Sequence, residues 1–347
     1  MPMPFGHRYL SASWGTIVLK TKVLFIVNYF TSGNVTNKLS NELANSYISI
    51  TENPHLDVRF FCYDAGIANA HGQDVLTTPH GKIDDKDILN FCLNPLTRPQ
   101  VILYLESIPG VITPDYVTIA CIRRTLGIPI IMLWHDTEGD DIIRMEQMYP
   151  FVDKHVLHDG FDPARFTRTP NRYIRDFPPQ DTRLLYDDER ERDITVSLAG
   201  NIKSQGRRRE YIQALEKAGI PVCVMGGRGW QDGDDDVPTQ ELFDLYRRSQ
   251  ITLNFVGRPG THTGRLLEAT LCGALLMEPE HSWHSPPFID FIDLVPFSNE
   301  QELIDRVRYF LDHKDEARRI ALNGKKKAIE QCSNYWDKLL LQVLSHG

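Results

Sequence analysis

The chain has 347 residues, of which 41% are hydrophobic and 24% are charged, and its formal net charge is −8. This length suits two domains of ordinary size, and the composition is that of a soluble globular protein. The acidic surplus argues against a basic nucleic-acid platform. No apolar run approaches the ~20 residues needed to cross a bilayer.

The alternation of short β-rich apolar runs with helical patterns dominates the first half of the chain. Such alternation predicts βαβ units around a parallel sheet. Residues 1–20 lack the continuous apolar core of a signal peptide, so we expect a variable arm there. We take residues 21–160 as a Rossmann-like domain. Its predicted strands are 22–27, 56–61, 100–105, 128–134 and 152–157, and its predicted helices are 35–49 and 114–126.

Residues 161–192 differ from what precedes them, because they contain four prolines, many charges and little periodicity. We interpret them as an interdomain connection. The alternating pattern then returns, which predicts a second Rossmann-like domain over residues 193–347. The predicted strands are 193–199, 222–225 and 251–255, and the predicted helices include 207–218, 239–248, 300–311 and 315–331.

The six cysteines are spread over the chain, and none of them forms a CxxC pair. This spacing favours a reducing compartment and argues against a zinc or disulfide framework. We therefore expect a cytoplasmic protein whose contact with a membrane is at most peripheral.

The loop GTHTGR at 260–265 follows a predicted strand and directly precedes a helix. Open α/β sheets bind ligands at the carboxyl ends of their strands, over helix N-termini that attract phosphate. Glycines such as Gly264 let the backbone approach an anion, and Arg265 can bind phosphate through two hydrogen bonds. The loop therefore predicts a phosphate site. Its other candidate residues are Thr261, His262 and Thr263.

Glu268 lies three residues after Arg265, inside the apolar run LLEATLCGALL. A carboxylate on that helix face can accept the two hydroxyls of a ribose, so the pair predicts a site for a nucleoside diphosphate. The alternative is a solvated i,i+3 pair, which the apolar run disfavours. A dehydrogenase is disfavoured as well, because no GxGxxG follows the first strand of either domain.

Residues 190–335 carry a pattern that resembles the C-terminal half of group 1 glycosyltransferases of GT-B fold, closest to their CgeB-like branch. The pattern consists of LFDLY at 242–246, ITLNF at 251–255, GRLLEA at 264–269, CGALL at 272–276 and FSNEQEL at 297–303. The resemblance implies two α/β domains facing a cleft, with the nucleotide on the C-terminal domain. It implies a hexosyltransferase that uses a UDP or GDP sugar, and the family leans to retention of anomeric configuration.

The resemblance also implies roles for individual residues. The carboxylate that matches Glu268 holds ribose hydroxyls, and the arginine that matches Arg265 faces the diphosphate. Many relatives have a second glutamate eight residues earlier, where this chain has Gly260. The contacts to the donor sugar therefore stay open.

The turn after the strand at 193–199 matches the place where the family has another phosphate-contacting cation. Arg207 and Arg208 are the candidates for that cation, and Lys203 is a weaker one. Gly200 and Asn201 open the same turn and are expected to contact the donor.

His135 and Asp136 follow the apolar strand at 128–134 and are the candidate catalytic residues. Group 1 enzymes often carry a similar histidine that faces the donor sugar. Asp136 would be the acceptor base of an inverting reaction or would orient His135. The alternative is that His135 is structural. The loop at 28–34 is either a plain βα turn or an approach to a sugar phosphate.

The acidic runs at 140–141 and 232–236 raise the question of a metal, because Asp-x-Asp spacing holds a divalent cation in sugar transferases of another fold. We interpret the second run as a solvated loop, since no strand leads straight into it. Arginine and a helix dipole can stabilise a leaving diphosphate without a metal. We expect no metal and no cofactor. The expected partners are a nucleotide sugar and a carbohydrate, lipid-linked or other hydroxyl acceptor; a non-catalytic sugar-nucleotide sensor is the alternative.

Overall fold

The chain folds into two parallel β-sheets flanked by helices. The structure is a computed structural model that describes residues 20–27, 48–62, 75–76, 85–106, 116–134, 137, 139–148, 150–158, 167–200, 206–226, 239–255, 263–280 and 288–344. The predicted α/β class with two doubly wound units in tandem is confirmed.

The first sheet has seven strands, paired in parallel in the order β3-β2-β1-β4-β5-β6-β7. Every side chain of β5 is buried, as expected where helices cover both faces of a parallel sheet. The strands are β1 Thr21–Val27, β2 Leu56–Cys62, β3 Val75–Leu76, β4 Val101–Glu106, β5 Ile130–Trp134, β6 Lys154–Leu157 and β7 Tyr173–Arg175. The helices are a 3-10 helix Ile48–Glu52, α1 Asp85–Leu93, α2 Tyr116–Cys121 with a π-helical extension Ile122–Leu126, and α3 Gly139–Met148.

The second sheet has five strands, paired in parallel in the order β12-β11-β10-β8-β9. The strands are β8 Ile194–Ala199, β9 Val222–Met225, β10 Ser249–Leu253, β11 Leu275–Pro279 and β12 Val295–Phe297. The helices are α4 Gly206–Lys217, α5 Thr239–Arg248, α6 Arg265–Leu271, α7 Glu300–Asp312 and α8 Lys314–Cys332.

The order of strands in the second sheet creates a crevice between β8 and β10. Strand β9 lies on one side of β8, and β10 lies on its other side. The winding direction of the sheet therefore reverses between β8 and β10. Doubly wound sheets bind ligands at such a reversal, beyond the carboxyl ends of the strands. The residues that follow β8 and β10 are therefore placed at a binding crevice.

The last helix, α9 Tyr335–Leu344, packs on the first sheet although it follows the second sheet in the chain. The ring centroid of Trp336 lies 5.9 Å from that of Phe25 on β1. The sequence predicts one domain over residues 193–347, and the structure differs here because the apolar face of α9 covers the first sheet. Strand β7, inside the predicted connection 161–192, likewise completes the first sheet.

A partly buried polar cluster joins the two places where the chain crosses between the sheets. Asp176 accepts hydrogen bonds from Nε2 of Gln331 at 2.6 Å and from the backbone N–H of Phe177 at 2.9 Å. Nε2 of His158 lies 2.8 Å from the hydroxyl oxygen of Tyr335. Burial raises the pKa of the Asp176 carboxyl to about 6.

None of the helices in the described part of the chain combines the length and the apolar character that a membrane span needs. The cysteines that the structure describes with their side chains are free thiols. They are Cys92, Cys121, Cys223, Cys272 and Cys332.

Candidate functional site

Gly200 lies at the crevice, directly after β8. Its φ is +126°, a conformation that residues with a side chain rarely adopt, and its N–H donates to the carbonyl of Met225 at 2.9 Å. A Cβ at this position would lie 3.1 Å from Nη1 and 3.3 Å from Cζ of Arg265. The backbone conformation therefore requires glycine here, and the guanidinium group of Arg265 lies close against it.

Arg265, at the first position of α6, brings a buried cationic donor to the crevice. Its Nη1 has no hydrogen-bond partner among the described residues. A buried donor left without a partner costs about 1–3 kcal/mol, and more when it is charged. An anionic oxygen of a ligand is the acceptor that best relieves this cost.

Arg208, on α4, provides a second buried cation at the same crevice. It is 5% exposed, and its Nη2 donates to the carbonyl of Phe255, just after β10, at 2.6 Å. Burial and the nearby charge of Arg265 lower the pKa of Arg208 to about 10, so it is a cation at neutral pH. An anion close to both guanidinium groups would offset their mutual repulsion.

The neighbouring Arg207 lies outside this arrangement, although both arginines are candidates from the sequence. Its side chain is 67% exposed, and its Nη2 donates to Oε1 of Glu300 at 3.2 Å. Its guanidinium group also lies over the ring of Tyr211, with Cζ 5.3 Å from the centroid. The structure thus brings Arg208, and not Arg207, to Arg265.

This difference predicts unequal effects for two neighbouring substitutions. Arg208→Ala should weaken the binding of a nucleoside diphosphate by about 1.5–3 kcal/mol, since a charged donor is lost. Arg207→Ala, the matched control, should change binding by less than about 0.5 kcal/mol because an exposed ion pair contributes little. Titration calorimetry with UDP and GDP measures both. Equal losses for the two variants would contradict the assignment of Arg208.

Glu268 is buried within α6, and it is only 5% exposed. The hydroxyl group of Tyr246 donates to its Oε2 at 3.4 Å. A solvated pair on a helix surface therefore does not describe Glu268 and Arg265, because the carboxylate is buried and the guanidinium group lies against Gly200.

Gln180 also lies beside Gly264, the residue before α6, and the sequence did not predict it. A Cβ placed on Gly264 would lie 3.3 Å from Oε1 of Glu268 and 3.6 Å from Nε2 of Gln180. Gln180 belongs to the connection between the sheets and is buried. Nothing in its local sequence, a glutamine after two prolines, indicates that the connection folds back onto α6.

Thr263, two residues before Arg265, begins a chain of hydrogen bonds that runs into the protein. Its hydroxyl group donates to Oδ1 of Asn254 at 2.7 Å, and Nδ2 of Asn254 donates to Oε2 of Glu278 at 3.0 Å. Glu278 is fully buried, and burial raises the pKa of its carboxyl to about 7. The only sequence signal for this series of hydrogen bonds is a glutamate inside the apolar strand LLMEP.

Several candidates from the sequence lie outside the residues that the structure describes. They are the catalytic candidates His135 and Asp136, the donor-site candidates Asn201, Thr261 and His262, the weaker candidate Lys203, the loop 28–34 and the acidic run 232–236. Among the residues that are described, no group of three His, Cys, Asp or Glu side chains is placed to hold a metal ion.

Comparison with known proteins gives a family match for the second half of the chain. Residues 207–340 match a family model described as glycosyl transferase-like. This segment contains nearly all of α4, the helices α5 to α8 and most of α9, and therefore Arg208, Arg265 and Glu268. Comparison with curated proteins finds no match.

Solved structures match nearly the whole chain. HepE from Anabaena, solved with UDP-glucose, has 11% identity and a TM-score of 0.63 over 94% of this chain and 100% of its own. Sucrose-phosphate synthase from Thermosynechococcus elongatus has 11% identity and a TM-score of 0.58 over 94% of this chain and 100% of its own. The lipopolysaccharide galactosyltransferase WaaB has 14% identity and a TM-score of 0.55, again over 94% and 100%. The chain has the fold of these structures, which is the GT-B fold that the resemblance implied.

Proposed function

We propose that this protein is a glycosyltransferase that moves a hexose from a UDP or GDP sugar to an acceptor hydroxyl. The observation that carries the proposal is the crevice itself, where the guanidinium group of Arg265 lies against Gly200 and close to the charge of Arg208, and the buried Glu268 lies on the same helix as Arg265. The family match over residues 207–340 and the UDP-glucose complex of HepE support it. The proposal includes membership of the CgeB-like branch of group 1 glycosyltransferases.

The two arginines would bind the diphosphate, and Glu268 would accept hydrogen bonds from the ribose hydroxyls. Negative charge develops on the departing diphosphate as the glycosidic bond breaks, so guanidinium groups placed there favour the transition state over the bound substrate. We assign His135 to contact with the donor sugar. We assign Asp136 either to the orientation of His135 or to the role of acceptor base. Retention of anomeric configuration and a cytoplasmic location also remain predictions.

The proposed site uses arginine in place of a metal ion. Addition of EDTA should therefore leave the binding of UDP or GDP unchanged within about twofold, because the two guanidinium groups supply the positive charge. Thermal shift with and without EDTA measures this, since a ligand at a hundredfold excess over its Kd raises stability by about 2.7 kcal/mol. Loss of the shift, with recovery on adding magnesium or manganese, would contradict it.

Glu268→Ala and Arg265→Ala test the two halves of the site separately. Glu268→Ala should weaken the binding of nucleoside, nucleoside diphosphate and nucleotide sugar alike, each by about 1.5–3 kcal/mol, because all three contain the ribose. Arg265→Ala should spare the nucleoside, weaken the binding of ligands with a diphosphate, and reduce turnover most. His135→Ala should affect only the nucleotide sugar or its turnover.

Titration calorimetry with the three ligands distinguishes these patterns. If folded Glu268→Ala and Arg265→Ala proteins bind every ligand as tightly as the wild type, the binding site lies elsewhere. Incubation of the wild type with UDP-glucose and with a GDP sugar tests for an enzyme, because a slow transferase hydrolyses its donor when no acceptor is present. A donor that is bound but remains intact indicates a non-catalytic sensor.

A further inference from the structure

The hydrogen bond of Thr263 conflicts with the phosphate-binding role that the sequence predicts for it. Its hydroxyl proton is directed into the protein, toward Oδ1 of Asn254 at 2.7 Å. A diphosphate has only acceptors, so Thr263 in this arrangement would present lone pairs to an anion. The inference below rests on the proposed function, because it concerns the binding of that diphosphate.

The direction of this hydrogen bond is set by Glu278. Nδ2 of Asn254 faces Glu278 and its Oδ1 faces Thr263, which is the arrangement that an ionised carboxylate requires because it can only accept. Pairing of Leu253 with Met277 places Asn254 level with Glu278, and the Asn254 N–H continues the ladder by donating to the Met277 carbonyl at 2.8 Å. The backbone is therefore held in place, and the side-chain amide is the part that can turn.

The surroundings of Glu278 allow it to change its charge near neutral pH. Burial, with a smaller contribution from the negative charge of Asp290, raises the pKa of its carboxyl to about 7. The helices that pack against β11 are α6 and α8. Helix α6 carries Arg265 and Glu268, and Nζ of Lys325 on α8 pairs with Asp187 at 3.4 Å.

We propose that the chain Glu278–Asn254–Thr263 reverses its direction when the diphosphate binds. Glu278 takes up one proton from solvent and donates it to Oδ1 of Asn254, whose amide turns by half a rotation. Nδ2 of Asn254 then donates to the oxygen of Thr263, and Thr263 donates its own proton to the ligand. The net change is one O–H bond formed on Glu278, and Thr263 becomes a donor two residues from Arg265.

Proton uptake on binding is the measurement that tests the reversal. UDP and GDP are titrated into the full chain at pH 8 in Tris and in HEPES, two buffers that differ in their heat of ionisation. At this pH the terminal phosphate of either probe is already ionised, since its pKa is about 6. The wild type should take up about one proton for each diphosphate bound.

Substitutions at both ends of the chain of hydrogen bonds complete the test. Glu278→Gln and Thr263→Val should abolish the uptake, and Thr263→Val should also weaken binding by about 3–10-fold, the equivalent of one hydrogen bond. Thr263→Ser keeps the hydroxyl group and should restore both. Because Thr263 is only half-buried, its variants test the proposal even if the Glu278 variant fails to fold.

The possible failures differ from one another. A wild type that binds a diphosphate without taking up a proton overturns the reversal and leaves the proposed function intact. Uptake by Thr263→Val equal to that of the wild type also overturns it. If neither UDP nor GDP binds the wild type, the proposed function fails, and the reversal fails with it.

Discussion

Gly273→Ala should lower the free energy of unfolding by about 2–5 kcal/mol, because the strain of a left-handed backbone is added to the cost of displacing a half-buried ion pair. Gly273 follows α6 with φ +78°, and a Cβ there would lie 2.4 Å from Oδ2 of Asp187 and 2.6 Å from Nη2 of Arg192. These groups cannot move aside cheaply, because Nη2 of Arg192 donates at 2.9 Å both to Asp187 and to the carbonyl of Cys272. Nη1 of Arg192 also donates to the carbonyls of Tyr246, Arg247 and Ser249.

Gly219→Ala is the matched control for this substitution. Gly219 has φ +79°, nearly the same as Gly273, but no atom lies within 4 Å of the position that a Cβ would take. Its substitution should cost only the strain of a left-handed backbone, about 1–2 kcal/mol. Urea unfolding followed by circular dichroism compares the two variants. Equal losses would show that the contact with the Asp187–Arg192 pair contributes nothing to the cost at Gly273.

Most of the second sheet could be predicted from the sequence, because its elements are separated by clear local signals. The strand Val222–Met225 and the helix Thr239–Arg248 have the predicted bounds. The position of α9 could not be predicted, since its apolar face is equally suited to either sheet. Strand β7 was not predicted because three residues, directly after a proline-led turn, are too short to show alternation.

At the candidate site, residue types could be predicted but their arrangement could not. Arg265 and Glu268 stand out because a cation and a carboxylate are rare in so apolar a run. From the sequence, Arg207 and Arg208 are equal candidates. They are distinguished only by the directions in which their side chains project from α4. The hydrogen bond between Asn254 and Glu278, 24 positions apart, depends on the register of β10 against β11, which the local sequence does not reveal.

The buried carboxyl of Glu278 makes a prediction about stability that needs no ligand. Its pKa rises from an ordinary 4.5 to about 7 on folding, so the folded state binds this proton more tightly than the unfolded state. The stability that the proton contributes is complete below about pH 4.5. It is lost as the pH rises through about 7, where the folded state must ionise a buried group.

Glu278→Gln should remove this dependence, because glutamine stays neutral at every pH while keeping the size of the side chain. The free energy of unfolding of the variant, relative to that of the wild type, should therefore rise by about 2–3 kcal/mol between pH 5 and pH 8. Asp176, whose pKa is also raised, to about 6, is present in both proteins, so its contribution cancels in the difference. Urea unfolding at pH 5, 6, 7 and 8 measures the difference. A constant difference across this range would show that Glu278 is already ionised in the folded protein at pH 5, and its hydrogen bond from Asn254 would then be a fixed one.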